Sequence, residues 1–198
     1  ALERVRQTER CESLHFIFSG PTDKQKISCS IKTNWIIRSI KIEGIVTEKD
    51  DYLQCYTLST GQPFEDEKHA ESLIALKKKL EEQGYKKASL QDHLYYDDQH
   101  KWIDILITIT KGSLSKIAST KYRCSSEKKI TPAEEHAVKK RLQKILAKPC
   151  TKALIERETQ ALVTLLQKHH YQNPSVTIQQ TDLADGTIDL LCLISVQD

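Results

Sequence analysis

The sequence WIDILITI at residues 102–109 has a second version, TIDLLCLI, at residues 187–194. In both segments apolar residues alternate with polar or bulky ones, which is typical of a strand with one buried face. Asp185 and Gly186 precede the second segment and indicate a hairpin turn. The two segments therefore predict the closing strands of two similar structural units.

Further matches upstream extend this similarity into a long internal repeat. Residues 86 positions apart agree in type and order, namely Pro63 with Pro149, Leu76 with Leu162, Leu80 with Leu166 and Tyr85 with Tyr171. The closing strands match at an offset of 85, so one residue has been lost in the loop between. Repeats of this kind predict tandem modules.

Each repeat begins with a β-type stretch, residues 35–44 in the first and 116–124 in the second. A short helix follows, and in the second repeat Thr131, Pro132 and Glu134 predict its capped start. Thr47 with Asp50 gives a weaker start signal in the first repeat.

A second helix follows in each repeat, with apolar residues at helical spacing such as Leu73, Leu76 and Leu80. Gly84 stands where a left-handed residue ends a helix. His170 occupies the matching position, so we expect the second repeat to end this helix differently.

These elements predict an α+β fold of tandem β-α-α-β-β modules. In each module two helices cover one face of a three-stranded mixed sheet. The modules span residues 34–112 and 113–198. Residues 1–33 predict the closing strands of a partial third module, with residues 1–13 left from its second helix.

The composition is that of a globular protein, with 29% charged and 38% hydrophobic residues and a net charge of +3. Six cysteines are present and none forms a CxxC pair, which does not fit a zinc site. Cys29 and Cys192 are predicted to be buried in their strands and to act as small apolar side chains. Whether a disulfide joins two of the residues Cys55, Cys124 and Cys150 is left open by the sequence.

No motif for catalysis was found. His169 and His170 are interpreted as a helix end, and Asp97 with Asp98 as a turn. The lysines at 77–79 and 86–87 are interpreted as solvated charges rather than a phosphate site. We therefore predict no enzyme activity, no catalytic residues, no metal and no cofactor.

The succession of elements resembles POTRA (polypeptide-transport-associated) domains of BamA/TamA-type outer-membrane protein assembly factors. The resemblance rests on IKIEG at 40–44, GQPF at 61–64, the Gly84-Tyr85 helix end and the strand ending at Lys111-Gly112. The last module lacks the glycine of the Gly-Tyr pair, and its assignment depends on the internal match.

The resemblance implies a periplasmic location, attached to the outer membrane through the protein's own C-terminal β-barrel outside this chain. It implies binding of unfolded outer-membrane protein clients and accessory proteins, and no nucleic acid is expected. Alternative settings are two-partner secretion, cell division or organellar import. An RNA-binding α+β domain is a further alternative, for which only Trp102 fits an aromatic platform.

In this family the strand before the last lies at the sheet edge, where an extended segment can add by β-augmentation. The implied partner-binding residues are Leu90, His93, Leu94, Tyr95, Tyr96, Val176, Thr177, Ile178 and Gln179. The candidate hinge residues between modules are Thr33, Asn34, Lys111 and Gly112.

Overall fold

The computed structural model describes residues 11–19, 26–124 and 130–197, which form eight strands and four helices. The strands are β1 Cys11–Ser19, β2 Lys26–Thr33, β3 Ile36–Glu43, β4 Ser89–Asp97, β5 Trp102–Thr110, β6 Ile117–Cys124, β7 Gln172–Asp182 and β8 Ile188–Gln197. The helices are α1 Lys49–Leu53, α2 Asp66–Glu82, α3 Pro132–Gln143 and α4 Lys152–Lys168.

Two three-stranded sheets have the same topology, with strand orders β3-β5-β4 and β6-β8-β7. The closing strand of each module is central, parallel to the first strand and antiparallel to the strand before it. The predicted α+β class and the mixed three-stranded sheets are thereby confirmed.

One face of each closing strand is buried, as the alternation predicted. Ile103, Ile105, Ile107 and Ile109 of β5 are at most 1% exposed. In the second module Ile188, Leu190, Cys192 and Ile194 pack with apolar residues of α3 and α4. Each such side chain contributes about 1.5–3 kcal/mol when it is removed from water. Cys192 therefore behaves as the small apolar residue that was predicted.

The starts of the two short helices differ. Thr131 accepts a hydrogen bond from the Glu134 amide, and Glu134 accepts one from the Thr131 amide, so the predicted capping box is confirmed. The prediction for Thr47 and Asp50 is wrong. Helix α1 is preceded by Glu48, which has a left-handed backbone (φ 64°) and makes no side-chain cap bond. With only five residues, α1 is held by burial of Tyr52 rather than by a cap.

The two long helices end in the same way, which corrects the expectation for His170. Gly84 has φ 95°, and His170 adopts φ 66° in the same left-handed region. The Tyr85 amide donates to the Leu80 carbonyl, and the Tyr171 amide donates to the Leu166 carbonyl. The repeat therefore imposes one helix end on both modules, although His170 has a Cβ that disfavours it.

A serine–aspartate pair joins the first and closing strands of each sheet. The Ser39 hydroxyl lies 2.6 Å from Asp104, and the Ser119 hydroxyl lies 2.7 Å from Asp189. In both sheets the pairing register shifts just before this serine. The pair satisfies polar groups at an irregularity in the ladder.

At the N-terminus β1 and β2 form a two-stranded antiparallel sheet. Because β1 begins at Cys11, the helix expected up to residue 13 is wrong for its last three residues, and residues 1–10 lie outside the described residues. The chain divides into two compact units, residues 1–77 with 89–110 and residues 78–88 with 111–198. The module boundaries drawn from the repeat remain a prediction.

The four cysteines with described side chains, Cys55, Cys124, Cys150 and Cys192, are not in disulfides. No disulfide therefore joins Cys55, Cys124 or Cys150, while the side chains of Cys11 and Cys29 lie outside the described part. No helix within residues 11–19, 26–124 and 130–197 has the length and apolar character needed to cross a membrane.

Candidate partner-binding edge strands

The two edges of the first sheet differ in how far their backbone is already paired. At the start of β3, residues 61–64 run alongside the outer edge. The Ile37 amide donates to the Gln62 carbonyl over 2.9 Å, and the Gly61 amide donates to the Ile37 carbonyl over 2.7 Å. Strand β4 has no such neighbour among the described residues. Its outer edge is therefore the longer unpaired one.

The second sheet repeats this arrangement. The Ile117 amide donates to the Lys148 carbonyl over 3.0 Å, and the Ala147 amide donates to the Ile117 carbonyl over 2.9 Å. Within the described ranges, no backbone pairs with the outer edge of β7. Each module thus closes part of one sheet edge with its own Pro63 or Pro149 segment and leaves the other edge open.

The residues implied as partner contacts divide between the two faces of these strands. Leu90, Leu94 and Tyr96 lie opposite Ile109, Ile105 and Ile103, so they share the helix-covered face. His93 and Tyr95 lie on the open face and are exposed. Side chains on both faces of β4 remain accessible, since even Leu90 and Leu94 on the helix-covered face are only half-buried.

Strand β7 is covered more completely than β4. Val176 is 9% exposed and belongs to the core, and Ile178 packs against the same core. Thr177 lies opposite Leu193 and is exposed on the open face, as is Gln179 opposite Leu191. Of the four residues implied on β7, only Thr177 and Gln179 therefore offer exposed side chains.

An aromatic cluster lies at the end of β4. The Tyr96 ring contacts the Trp35 ring edge-on, with 4.8 Å between centroids, and the Lys101 ammonium lies 4.5 Å from the Trp35 centroid. Tyr96 is still 50% exposed and Tyr95 is 57% exposed. Partial burial, with Asp66 nearby, raises the pKa of Tyr96. An exposed tyrosine held in place by a neighbouring ring, as Tyr96 is by Trp35, suits an anchor for a partner segment.

A buried polar network connects β4 to helix α2. The ring of His69 is almost fully buried, and its Nε2 lies 2.9 Å from Asp92 Oδ2. Its Nδ1 is hydrogen-bonded to the Tyr56 hydroxyl. Burial, with the Asp92 charge nearby, raises the pKa of Tyr56 above its usual range. The network fixes the middle of the open strand against the helix.

Residues 36–112 match the family model for POTRA, described as a surface antigen variable number repeat. This segment is a POTRA domain. The resemblance inferred from IKIEG, GQPF and the Gly84-Tyr85 helix end is thereby confirmed for the first module. The second module has the same element order and strand topology as the POTRA domain.

Several solved structures are similar to the chain. POTRA domains 3–5 of Haemophilus influenzae BamA share 15% identity, with a TM-score of 0.48 over 100% of this chain and 78% of that chain. The N-terminal domain of Omp85 from Thermosynechococcus elongatus shares 9%, with a TM-score of 0.39 over 99% and 81%. CdiB from Escherichia coli shares 12%, with a TM-score of 0.37 over 83% and 27%. No curated protein matched the sequence.

The polar network is specific to the POTRA domain of residues 36–112. At an offset of 86, Tyr56, His69 and Asp92 correspond to Leu142, Ile155 and Ile178. Those three apolar residues belong to or pack against the core of the second module. The sequence analysis missed the network. Its signal was Asp92 on the apolar parity of β4, between Leu90 and Leu94.

The remaining polar candidates take the structural roles expected of them. Asp97 accepts hydrogen bonds from the His100 amide and ring within the turn after β4. His169 is at the end of α4, 3.5 Å from Glu134. Trp102 lies on the open face of the POTRA sheet, between Arg38 and His100. Among the described residues no group of three metal-binding side chains comes together.

The candidate hinge residues lie between strands. Thr33 ends β2, Asn34 precedes β3, and Lys111 with Gly112 follows β5. Gly112 has φ 68°, a conformation that glycine adopts at low cost. Their role as hinges stays a prediction.

Proposed function

We propose that this chain is the periplasmic POTRA region of an outer-membrane β-barrel assembly or translocation factor, whose barrel lies outside this chain. Its role is non-enzymatic. It receives unfolded outer-membrane clients, or segments of accessory proteins, as an added strand. The observation that carries the proposal is the outer edge of the nine-residue strand β4, with which no backbone of the described residues pairs, while the opposite edge of the sheet is partly closed.

The surroundings of β4 favour an extended, sequence-tolerant partner. Main-chain hydrogen bonds provide most of the affinity in β-augmentation, and alternate side chains provide the selectivity. An added strand would place alternate side chains beside Tyr96 and Leu94 on one face and beside Tyr95 and His93 on the other. The network around His69 holds the receiving strand in place, which lowers the entropy cost of binding.

A paired proline substitution tests this proposal. In an antiparallel ladder, alternate amides point towards the neighbouring strand and away from it. Of the two variants His93→Pro and Leu94→Pro, one therefore removes an outward amide and keeps the fold, and the other breaks the β4–β5 ladder. Thermal unfolding identifies which is which. The full chain is then titrated with a synthetic peptide that copies one strand of an outer-membrane barrel.

We expect the folded proline variant to lose peptide binding and the wild-type chain to gain hydrogen-exchange protection at alternate amides of β4. The matched variant Lys41→Pro places the same residue on β3 and should keep peptide affinity if it folds. Unchanged affinity in the folded β4 variant, or protection confined to other strands, would contradict the proposal.

A further inference from the structure

A basic groove lies on the outer surface of the second module, between helices α3 and α4. It has a volume of about 690 Å³. Four of its lining residues carry or can carry positive charge, Arg141, Arg157, Lys168 and His169, and its apolar part is formed by Ala161 and Leu165. Its lining includes no residue of β4 or β7, so the inference does not depend on the function proposed for the sheet edges.

One buried carboxylate organises the groove without neutralising it. Glu158 is 7% exposed, and its Oε2 lies 2.9 Å from Arg141 Nε while its Oε1 lies 3.3 Å from an Arg157 guanidinium nitrogen. The Arg141 Nε–H makes no aligned hydrogen bond, so the contact with Glu158 is an ion pair only. Glu158 balances one guanidinium, and Glu134 lies 3.5 Å from His169. One guanidinium and the Lys168 ammonium therefore remain as excess positive charge beside the apolar surface.

The internal repeat shows that these charges are not needed for the module fold. At an offset of 86, Arg157 and Lys168 correspond to Glu71 and Glu82 of helix α2, and His169 corresponds to Gln83 just after it. The first module therefore has two acidic residues where the second has two basic ones. Three basic residues converge on one face of the second module, which points to a ligand rather than to packing.

We propose that this groove binds the phosphate headgroup of an anionic lipid. Guanidinium groups present paired donors that match phosphate oxygens, and Lys168 adds a flexible point charge. Ala161 and Leu165 provide apolar contact for the glycerol or acyl part of the ligand. The volume lies within the range of small-molecule sites, about 300–1,000 Å³. An acidic peptide would match the charges, but the apolar contact offered by Ala161 and Leu165 favours a ligand with an acyl chain.

Vesicle binding by the full chain tests the proposal. Cosedimentation is measured with vesicles that mix phosphatidylglycerol into phosphatidylcholine and with vesicles of phosphatidylcholine alone. The variant Arg157→Gln/Lys168→Gln removes two groove charges and leaves Arg141 paired with Glu158. The control Lys49→Gln/Lys77→Gln removes the same charge from exposed positions outside the groove.

We expect binding only to the anionic vesicles, with an affinity about 25-fold weaker in the groove variant, since each basic residue near an anionic surface contributes about fivefold. The control variant should bind the anionic vesicles less than about fivefold more weakly than the wild type. In a separate experiment the chain is titrated with inorganic phosphate and with glycerol phosphate. Binding is monitored through the amide chemical shifts of α3 and α4.

Three results would overturn the proposal. They are equal losses in the two variants, binding of the soluble phosphates without binding of the vesicles, and no binding to either. The first would show a general charge effect, the second a soluble anion site, and the third a groove without this ligand. None of these measurements involves β4, so their failure is separable from failure of the strand-addition proposal.

Discussion

His170 has a backbone conformation that glycine adopts at lower cost. Its φ of 66° matches Gly84 at the same place in the other repeat. We expect His170→Gly to raise the free energy of unfolding by about 0.5–1 kcal/mol, measured by urea denaturation. Gln167→Gly, inside the same helix, should lower it by about 1 kcal/mol. Equal or lower stability of His170→Gly would contradict the assignment of a strained helix end.

Gly44 ends the first strand of the POTRA domain where a side chain has no room. Its φ is 83°, and an added Cβ would overlap the Ile109 carbonyl oxygen. We expect Gly44→Ala to destabilise the chain by about 2–4 kcal/mol in thermal or urea unfolding. Gly61→Ala is the matched control, since Gly61 has φ 90° with no atom near the added Cβ. A similar cost for both variants would show that only the dihedral angle matters.

At the scale of elements, the His69 network can be compared with its apolar counterpart in the same chain. His69→Ala should cost about 2–4 kcal/mol, because Tyr56 and Asp92 lose their shared partner. The triple variant Tyr56→Leu/His69→Ile/Asp92→Ile copies the second module and should be at least as stable as the wild type. Urea denaturation measures the stability of both variants, and a triple variant less stable than the wild type would contradict the expected equivalence.

Strands β3 and β5 are joined on their open face by a charged pair with a pH signature. The hydrogen-bonded Arg38 guanidinium, opposed by some burial and helped by Ser39, lowers the pKa of Asp104 to about 2. Because this pKa lies below the ordinary value of about 4, the pair stabilises the fold above that pH and is lost as the pH falls towards 2.

We therefore expect Asp104→Asn to lower stability at neutral pH by about 1 kcal/mol, after allowance for solvent screening, and to flatten the acid limb of the stability profile. Urea denaturation at a series of pH values measures both effects. Asp98→Asn removes an exposed carboxylate from the nearby turn and controls for the change in charge. An unchanged acid limb in Asp104→Asn would contradict this role for the pair.

The elements that sequence predicted best are those whose signal is periodic. The closing strands follow from alternation, the N-cap of α3 at Thr131 from cap chemistry, and the edge position of β4 from a family resemblance. Glu48 was missed because a five-residue helix leaves little local signal. The network of Tyr56, His69 and Asp92 was missed because its members are far apart in sequence and meet only when β4 packs beside α2.

The groove between α3 and α4 shows the same limit at the scale of the whole molecule. Arg141 lies on one helix and Arg157 and Lys168 on another, and in sequence each is one basic residue among many. Only the folded module brings them together in one groove, with Arg141 and Arg157 both beside Glu158. Composition gave a net charge of +3 and no hint of where that charge is concentrated.

The cysteines report on the integrity of the second module within the whole chain. Cys192 is 1% exposed and Cys150 is 2% exposed, whereas Cys55 and Cys124 are partly accessible. Burial raises the pKa of the Cys192 thiol to about 11, which suppresses the reactive thiolate at neutral pH. In native buffer we therefore expect a thiol reagent to modify Cys55 before Cys150 and Cys192.

Modification of Cys192 should require opening of the second core, so its rate should follow the stability of that module as urea is added. Peptide mass spectrometry after timed labelling measures each site separately. Gly44→Ala acts in the other module and serves as a reference for effects transmitted along the chain. Rapid labelling of Cys192 in the native chain would contradict the buried position of β8, and labelling that accelerates only with urea would support it.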